Sequence, residues 1–226
     1  MTGETKNFID FMCEANVLTF GDFVTKSGRP TPYFVNTGRY TTGRQMRTLG
    51  SYYAAAIEEH FHGTFDVLFG PAYKGIPLAV AAAEALYTDY GIDVPLCYNR
   101  KEAKDHGEGG VLVGHKLQDG DRVLIVEDVT TAGTSIRETV PILRAAAKVE
   151  LAGLIVSVDR MERGKVPTQT ALHEVGEAFD MPTKAIVDLT GICDRLRPEG
   201  DSPFRLNQED AARIESYRAK YGVSRG

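Results

Sequence analysis

Two hydrophobic periods alternate along the chain. Short, mostly apolar runs stand at residues 67–69, 94–98, 123–126, 151–158 and 184–189. Between most of them, apolar residues recur every three or four positions, as in Ile136, Val140, Leu143 and Ala147, or Ala171, Val175 and Phe179. The runs suit strands buried on both faces of a parallel sheet, and the recurrences suit helices packed by one stripe. Alternation of the two predicts an α/β protein. Its open, mostly parallel twisted sheet is flanked by helices, with right-handed crossovers. Further helical patterns run from residue 76 to about 90 and through Met46, Leu49, Tyr53, Ala56 and Ile57. Asn207, followed by Gln208, Glu209 and Asp210, suits the cap of a last helix, read as structural. The first forty residues differ. Phe8, Phe11, Met12 and Ala15 predict a helix, 17–20, 23–25 and 33–35 read as short strands, and 26–32 is turn-rich. This lead-in precedes the strand–helix repeats, so it is read as a small N-terminal hood, about residues 1–40 of a single domain spanning 1–226.

Chemistry concentrates behind the run at 123–126. Glu127 and Asp128 follow it, then Val129, Thr130, Thr131, Ala132, Gly133, Thr134 and Ser135, then a helical pattern. A helix N-terminus favours phosphate, Gly133 lets the backbone approach a ligand, and the hydroxyls add donors. The carboxylates would repel phosphate but accept hydrogen bonds from vicinal sugar hydroxyls. Phosphate beside sugar means a ribose 5-phosphate. The plainer alternative is an ordinary strand–helix turn with an incidental acidic pair. A second unit, 67–75, places Tyr73 and Lys74 in its loop and Pro77 in the first helical turn, where proline is tolerated. A third segment, 98–110, has no hydrophobic period and carries Arg100, Lys101, Lys104 and His106 before a glycine-rich end. A pliant cationic loop can close over a pyrophosphate leaving group, although the same composition suits a charged surface loop. Arg160 ends the run at 151–158, and its guanidinium fork suits a carboxylate; the alternative is a surface ion pair with Asp159.

Residues 123–135 closely resemble the phosphoribosyl diphosphate (PRPP) loop of the type I phosphoribosyltransferases. The run Arg-Lys-Glu-x-Lys-Asp-His-Gly-Glu-Gly-Gly at 100–110 resembles the catalytic loop of the orotate phosphoribosyltransferases. The run Lys-Ser-Gly-Arg-x-x-Pro-Tyr-Phe at 26–34 resembles that family's orotate-contacting hood, and the likeness extends from about residue 5 to about 200. The resemblance implies the type I phosphoribosyltransferase fold. It also implies transfer of ribose 5-phosphate from PRPP to N1 of orotate, a step of UMP biosynthesis. Glu127 and Asp128 would then hold the ribose, and residues Val129 to Ser135 the 5′-phosphate. Tyr73, Lys74, Arg100, Lys101, Lys104 and His106 would hold pyrophosphate. Lys26, Phe34, Val35 (through its backbone, since some members have Phe there) and Arg160 would meet orotate. Lys104, His106, Asp128 and Lys26 are the implied catalytic residues. Also implied are Mg²⁺ bound mainly through PRPP oxygens and a homodimer sharing the 100–110 loop between subunits.

Composition narrows the alternatives. With 26 Lys and Arg against 31 Asp and Glu, the net charge of −5 argues against a broad nucleic-acid surface. Cys13, Cys97 and Cys193 are odd in number and widely spaced, which fits a reducing compartment better than a disulfide framework. No signal-peptide core or bilayer-length apolar run stands out, so a cytoplasmic protein away from membranes is expected. His60 and His62 read as helix-end residues, and His115 and His173 have no partner evident in the sequence. No G-x-G-x-x-G or Walker lysine motif points to a dinucleotide or ATP. Two other readings are a phosphoribosyltransferase for a different base, against which the hood and cationic loop argue, and a PRPP-sensing regulator binding RNA or DNA, against which the acidic balance argues.

Overall fold

The computed structural model describes residues 2–25, 28–104, 110–129 and 133–223, with the backbone alone at 103, 104 and 110. Helix α1 (Gly3–Glu14) starts at Thr2, whose hydroxyl accepts from the Thr5 amide, and buries Phe8, Ile9 and Met12. Strands β1 (Leu18–Val24) and β2 (Pro30–Val35) pair antiparallel in a sheet of their own. The sequence suggests two strands where β1 is one. The register slips between Phe20 and Phe23, at Gly21 with φ 147°, so the apparent break is a bulge. Pro30 and Pro32 belong to β2, because a two-stranded sheet is all edge and an edge strand tolerates proline.

The main sheet has six strands: β3 (Val67–Gly70), β4 (Leu96–Lys104), β5 (Gly110–Gly114), β6 (Arg122–Val129), β7 (Glu150–Asp159) and β8 (Thr183–Asp188). Their order is β5-β4-β3-β6-β7-β8. All pairs are parallel except β4–β5, so the sheet is mostly parallel as expected. The apolar runs are continuous because both faces are covered. Leu68, Leu124, Val126 and Ile155 pack under α2 (Gly43–Phe61), α3 (Gly75–Tyr90) and the N- and C-terminal helices. Val67, Phe69, Val123, Ile125, Leu154 and Val156 pack on the other face under α4 (Thr134–Ala146) and α5 (Ala171–Phe179). On the first face, α2 and α3 cross so closely at Gly50 that an added Cβ would meet the Ala81 carbonyl oxygen at 2.3 Å.

Two segments depart from the sequence reading. The cationic stretch is half strand: β4 continues through Lys104, which pairs with Gly110 of β5. An edge hairpin is built by backbone hydrogen bonds, so it needs no hydrophobic period. The last strand ends at Asp188 rather than Leu189. Asp188 there caps α6 (Leu189–Leu196), accepting from the Gly191 amide at 2.7 Å. That helix was not expected, being too short to show a clear period. Asn207 caps α7 (Gln208–Tyr221) as read.

The chain leaves β3 toward β4 on one side, then returns to place β6 on the other side of β3. The strand order therefore reverses between β3 and β6, and these two strands end side by side at the carboxyl edge, where open α/β sheets bind ligands. No helix among the described residues is long and apolar enough to cross a membrane.

Candidate active site

The acidic pair occupies the last turns of pleat in β6. Successive strand side chains face opposite ways, so Glu127 points toward α4 and Asp128 toward α2 and α3. The Ser135 hydroxyl donates to Glu127 Oε2 at 2.6 Å. On the other face, Thr37 Oγ1 donates to Asp128 Oδ2 at 2.8 Å, and Lys74 Nζ lies 3.0 Å from the same oxygen. Both acids are buried, at 6% and 8% exposure. Their backbone is clamped from both sides: Tyr53 donates to the Glu127 carbonyl at 2.7 Å and Ser157 to the Asp128 carbonyl at 2.6 Å. Burial lifts the Glu127 pKa to about 7; the Ser135 hydrogen bond opposes this and the neighbouring Asp128 charge reinforces it. Glu127 thus titrates near neutral pH, and Asp128 is already paired with a cation.

Lys74 reaches Asp128 because the loop after β3 doubles back tightly. A Cβ on Gly70 would lie 2.4 Å from the Gly75 carbonyl oxygen. The loop is tied to β4, the Ala72 amide donating to Asn99 Oδ1 at 2.9 Å, and the Ala72–Tyr73 peptide is cis. Tyr73 stands 69% exposed beside Lys74. Across the switch point, Gly133 precedes α4 at φ 67°, and α4 begins without a side-chain cap. A Cβ on Gly133 would meet Val175 Cγ2 at 2.3 Å, so the approach to this helix end is moulded around the missing side chain.

One strand over, Val158 pairs with Val129, which brings Arg160 to the same sheet edge. Its partner is Glu162, not Asp159. Nε and Nη2 lie 2.8 and 2.6 Å from Glu162 Oε1, Nη2 also donates to Thr31 Oγ1 at 3.2 Å, and the guanidinium carbon sits 4.4 Å over the Tyr33 ring. Asp159 instead accepts from the Met161 amide at 2.8 Å. In the β1–β2 sheet, Phe34 stacks on Phe23 with centroids 5.5 Å apart, and the Val35 side chain belongs to the core.

The structure thus joins Glu127, Asp128, Lys74 and Ser135 directly. Arg160, Phe34 and Val35 lie on elements around them, and Arg100 and Lys101 on β4. Lys26, His106, Thr130, Thr131 and Ala132 lie outside the described residues, as does the Lys104 side chain. Sequence reasoning missed Thr37, Tyr53, Ser157 and Glu162. Thr37 is 91 residues from Asp128, a distance no local spacing rule covers. The histidines thought partnerless are paired: His115 with Asp121 at 3.1 Å and His173 with Glu177 at 3.3 Å. His62, at the end of α2, pairs with Glu58 at 2.5 Å.

The chain matches the phosphoribosyl transferase domain over residues 37–180. It is 56% identical to an orotate phosphoribosyltransferase of Clostridium beijerinckii, covering 99% of this chain and 100% of that protein. It is 47% identical to the orotate phosphoribosyltransferase of Vibrio cholerae, over 99% and 100%. Among solved structures, the orotate phosphoribosyltransferase of Francisella tularensis superposes with a TM-score of 0.82 at 36% identity, covering 96% of this chain and all of that one.

Proposed function

The chain belongs to the phosphoribosyl transferase family and, within it, to the orotate phosphoribosyltransferases, and we propose how its residues carry the reaction. The enzyme transfers ribose 5-phosphate from PRPP to orotate, giving orotidine 5′-phosphate and pyrophosphate. The observation that supports the residue assignment best is the buried acidic pair at the switch point, with a lysine and a helix N-terminus on either side.

Glu127 and Asp128 accept hydrogen bonds from the ribose hydroxyls. Residues Val129, Thr130, Thr131, Ala132, Gly133, Thr134 and Ser135 wrap the 5′-phosphate at the start of α4. N1 of deprotonated orotate attacks the anomeric carbon. The bond from that carbon to the diphosphate oxygen breaks, and pyrophosphate leaves with the electron pair. Positive charge grows on the ribose ring beside Asp128, while negative charge grows on the diphosphate. Tyr73, Lys74, Arg100 and Lys101 meet that negative charge, with Lys104 and His106 easing departure; such fixed charges stabilise a transition state more than a ground state. Lys26, Phe34, the Val35 backbone and Arg160 position orotate.

Among the described residues, no three or more His, Cys, Asp or Glu side chains converge on one point. The acidic pair nonetheless fits an Mg²⁺ carried by the substrate, since such an ion takes one or two carboxylates beside its phosphates. Asp128 would help hold it, and the ion would neutralise charge on the leaving diphosphate. The working unit is a homodimer in the cytoplasm, a single domain per chain, with the β4–β5 arm reaching the partner's site. Burial holds the thiols of Cys13, Cys97 and Cys193 above their ordinary pKa, in keeping with unreactive cysteines in a reducing compartment.

Orotate absorbance followed with PRPP and Mg²⁺, wild type beside Lys104→Ala, tests this. Orotate should disappear only with PRPP, and at least ~100-fold more slowly in the variant, the scale of a lost transition-state charge contact. Equal rates in the two proteins would take the leaving-group role away from Lys104.

A further inference from the structure

Arg160 enters the proposed reaction as the group that meets the orotate carboxylate, yet its guanidinium is already committed along one edge. Nε and Nη2 share Glu162 Oε1. Glu162 is itself held from two further directions. Tyr217 donates its hydroxyl to Oε1 at 2.6 Å, and Arg29 Nη1 lies 3.1 Å from Oε2. Arg29 in turn sits 4.7 Å over the ring of Tyr221, and Tyr217 meets Tyr33 edge to face at 6.0 Å. Arg160 and Glu162 are 5% and 6% exposed, so water screens the pair weakly. Among the described residues, Arg160 Nη1 carries no hydrogen bond.

Two points follow from this arrangement. Two guanidiniums contact one carboxylate; Arg29 is 31% exposed while Arg160 and Glu162 are buried, so Arg160 is the cation that Glu162 holds away from water. The orientation of Arg160 is fixed by groups from three elements that are distant in sequence: β2, the segment after β7, and α7. We propose that Glu162 and Tyr217 are positioning residues for Arg160. Together they aim its uncommitted edge at the base pocket. The C-terminal helix then belongs to the base pocket and is more than a structural prop. This rests on the reading that Arg160 binds orotate.

The test is a set of steady-state measurements on Tyr217→Phe, Glu162→Gln and Arg160→Gln, varying orotate and PRPP separately and recording thermal melting. Tyr217→Phe keeps the ring against Tyr33 and removes only the hydroxyl, so it should fold even if Glu162→Gln does not. Its KM for orotate should rise severalfold. Glu162→Gln should raise it about tenfold or more, as expected for loss of a charge-assisted hydrogen bond. The KM for PRPP should stay where it was in both. A purely structural role would move both KM values together or neither. The proposal is overturned if Arg160→Gln raises the orotate KM while a folded Tyr217→Phe leaves it unchanged. If Arg160→Gln itself leaves the orotate KM unchanged, the assignment of Arg160 to orotate fails, and the positioning role falls with it.

Discussion

At the scale of single residues, neighbouring carboxylates in one strand are in different situations. Asp128 is held by a lysine and a threonine, whereas Glu127 has a serine, and burial raises its pKa to about 7. In the unfolded chain that glutamate ionises near 4.5. Between those values the folded protein keeps a proton that the unfolded chain has lost, so stability falls as pH rises through this window and levels off above it. Glu127→Gln cannot ionise. Relative to wild type it should gain up to about 3 kcal/mol between pH 4.5 and 7.5, read from urea denaturation at both ends. An unchanged gap between the two proteins would mean that folding leaves the Glu127 pKa at its unfolded value. The acids themselves were legible because they are adjacent in sequence and end an apolar run. Thr37 and Glu162 were not, since their partners are brought to them by tertiary folding alone.

At the scale of elements, the strands and long helices were legible because burial on two faces, or along one stripe, leaves a period in the sequence. The outer part of the β4–β5 hairpin, beyond the apolar run that ends at Tyr98, left none, since its pairing is a property of the backbone. Short α6 was hidden in the same way, marked only by Asp188 as its cap. The helix start at Gly133 shows how tightly one element is fitted to its neighbour. Gly133→Ala would put a Cβ in the left-handed region and 2.3 Å from Val175 Cγ2. It should cost about 2–4 kcal/mol, strain and overpacking together, and weaken PRPP binding. Adding Val175→Ala should recover part of the binding by removing the clash. PRPP titration of the single and double variants checks this; a single variant that binds like wild type would show that the loop repacks freely.

At the scale of the whole molecule, the reversal of strand order between β3 and β6 gathers at one edge residues that the sequence scatters from 37 to 160. The fold class could be read from the alternation of periods, but the position of β3 in the middle could not, because strand order leaves no local trace. The proposed sharing of the 100–110 arm would be a property of the assembly. If it crosses between subunits, mixing Lys104→Ala with Asp128→Asn should restore about a quarter of the wild-type rate, since half the random dimers are mixed and each has one intact site. No recovery after verified subunit exchange would assign each arm to its own subunit.

The cluster around Glu162 also bears on the order of synthesis. Its members come from residues 29, 162 and 217, so the chain must be made through residue 217 before they can meet. At ~5–20 residues per second, the ribosome delivers Tyr217 several seconds after Glu162. During that interval, Glu162 and Arg160 emerge without the hydroxyl that finally clamps them. A nascent chain can therefore complete its central sheet, which ends at Asp188, before the region assigned to the base is clamped.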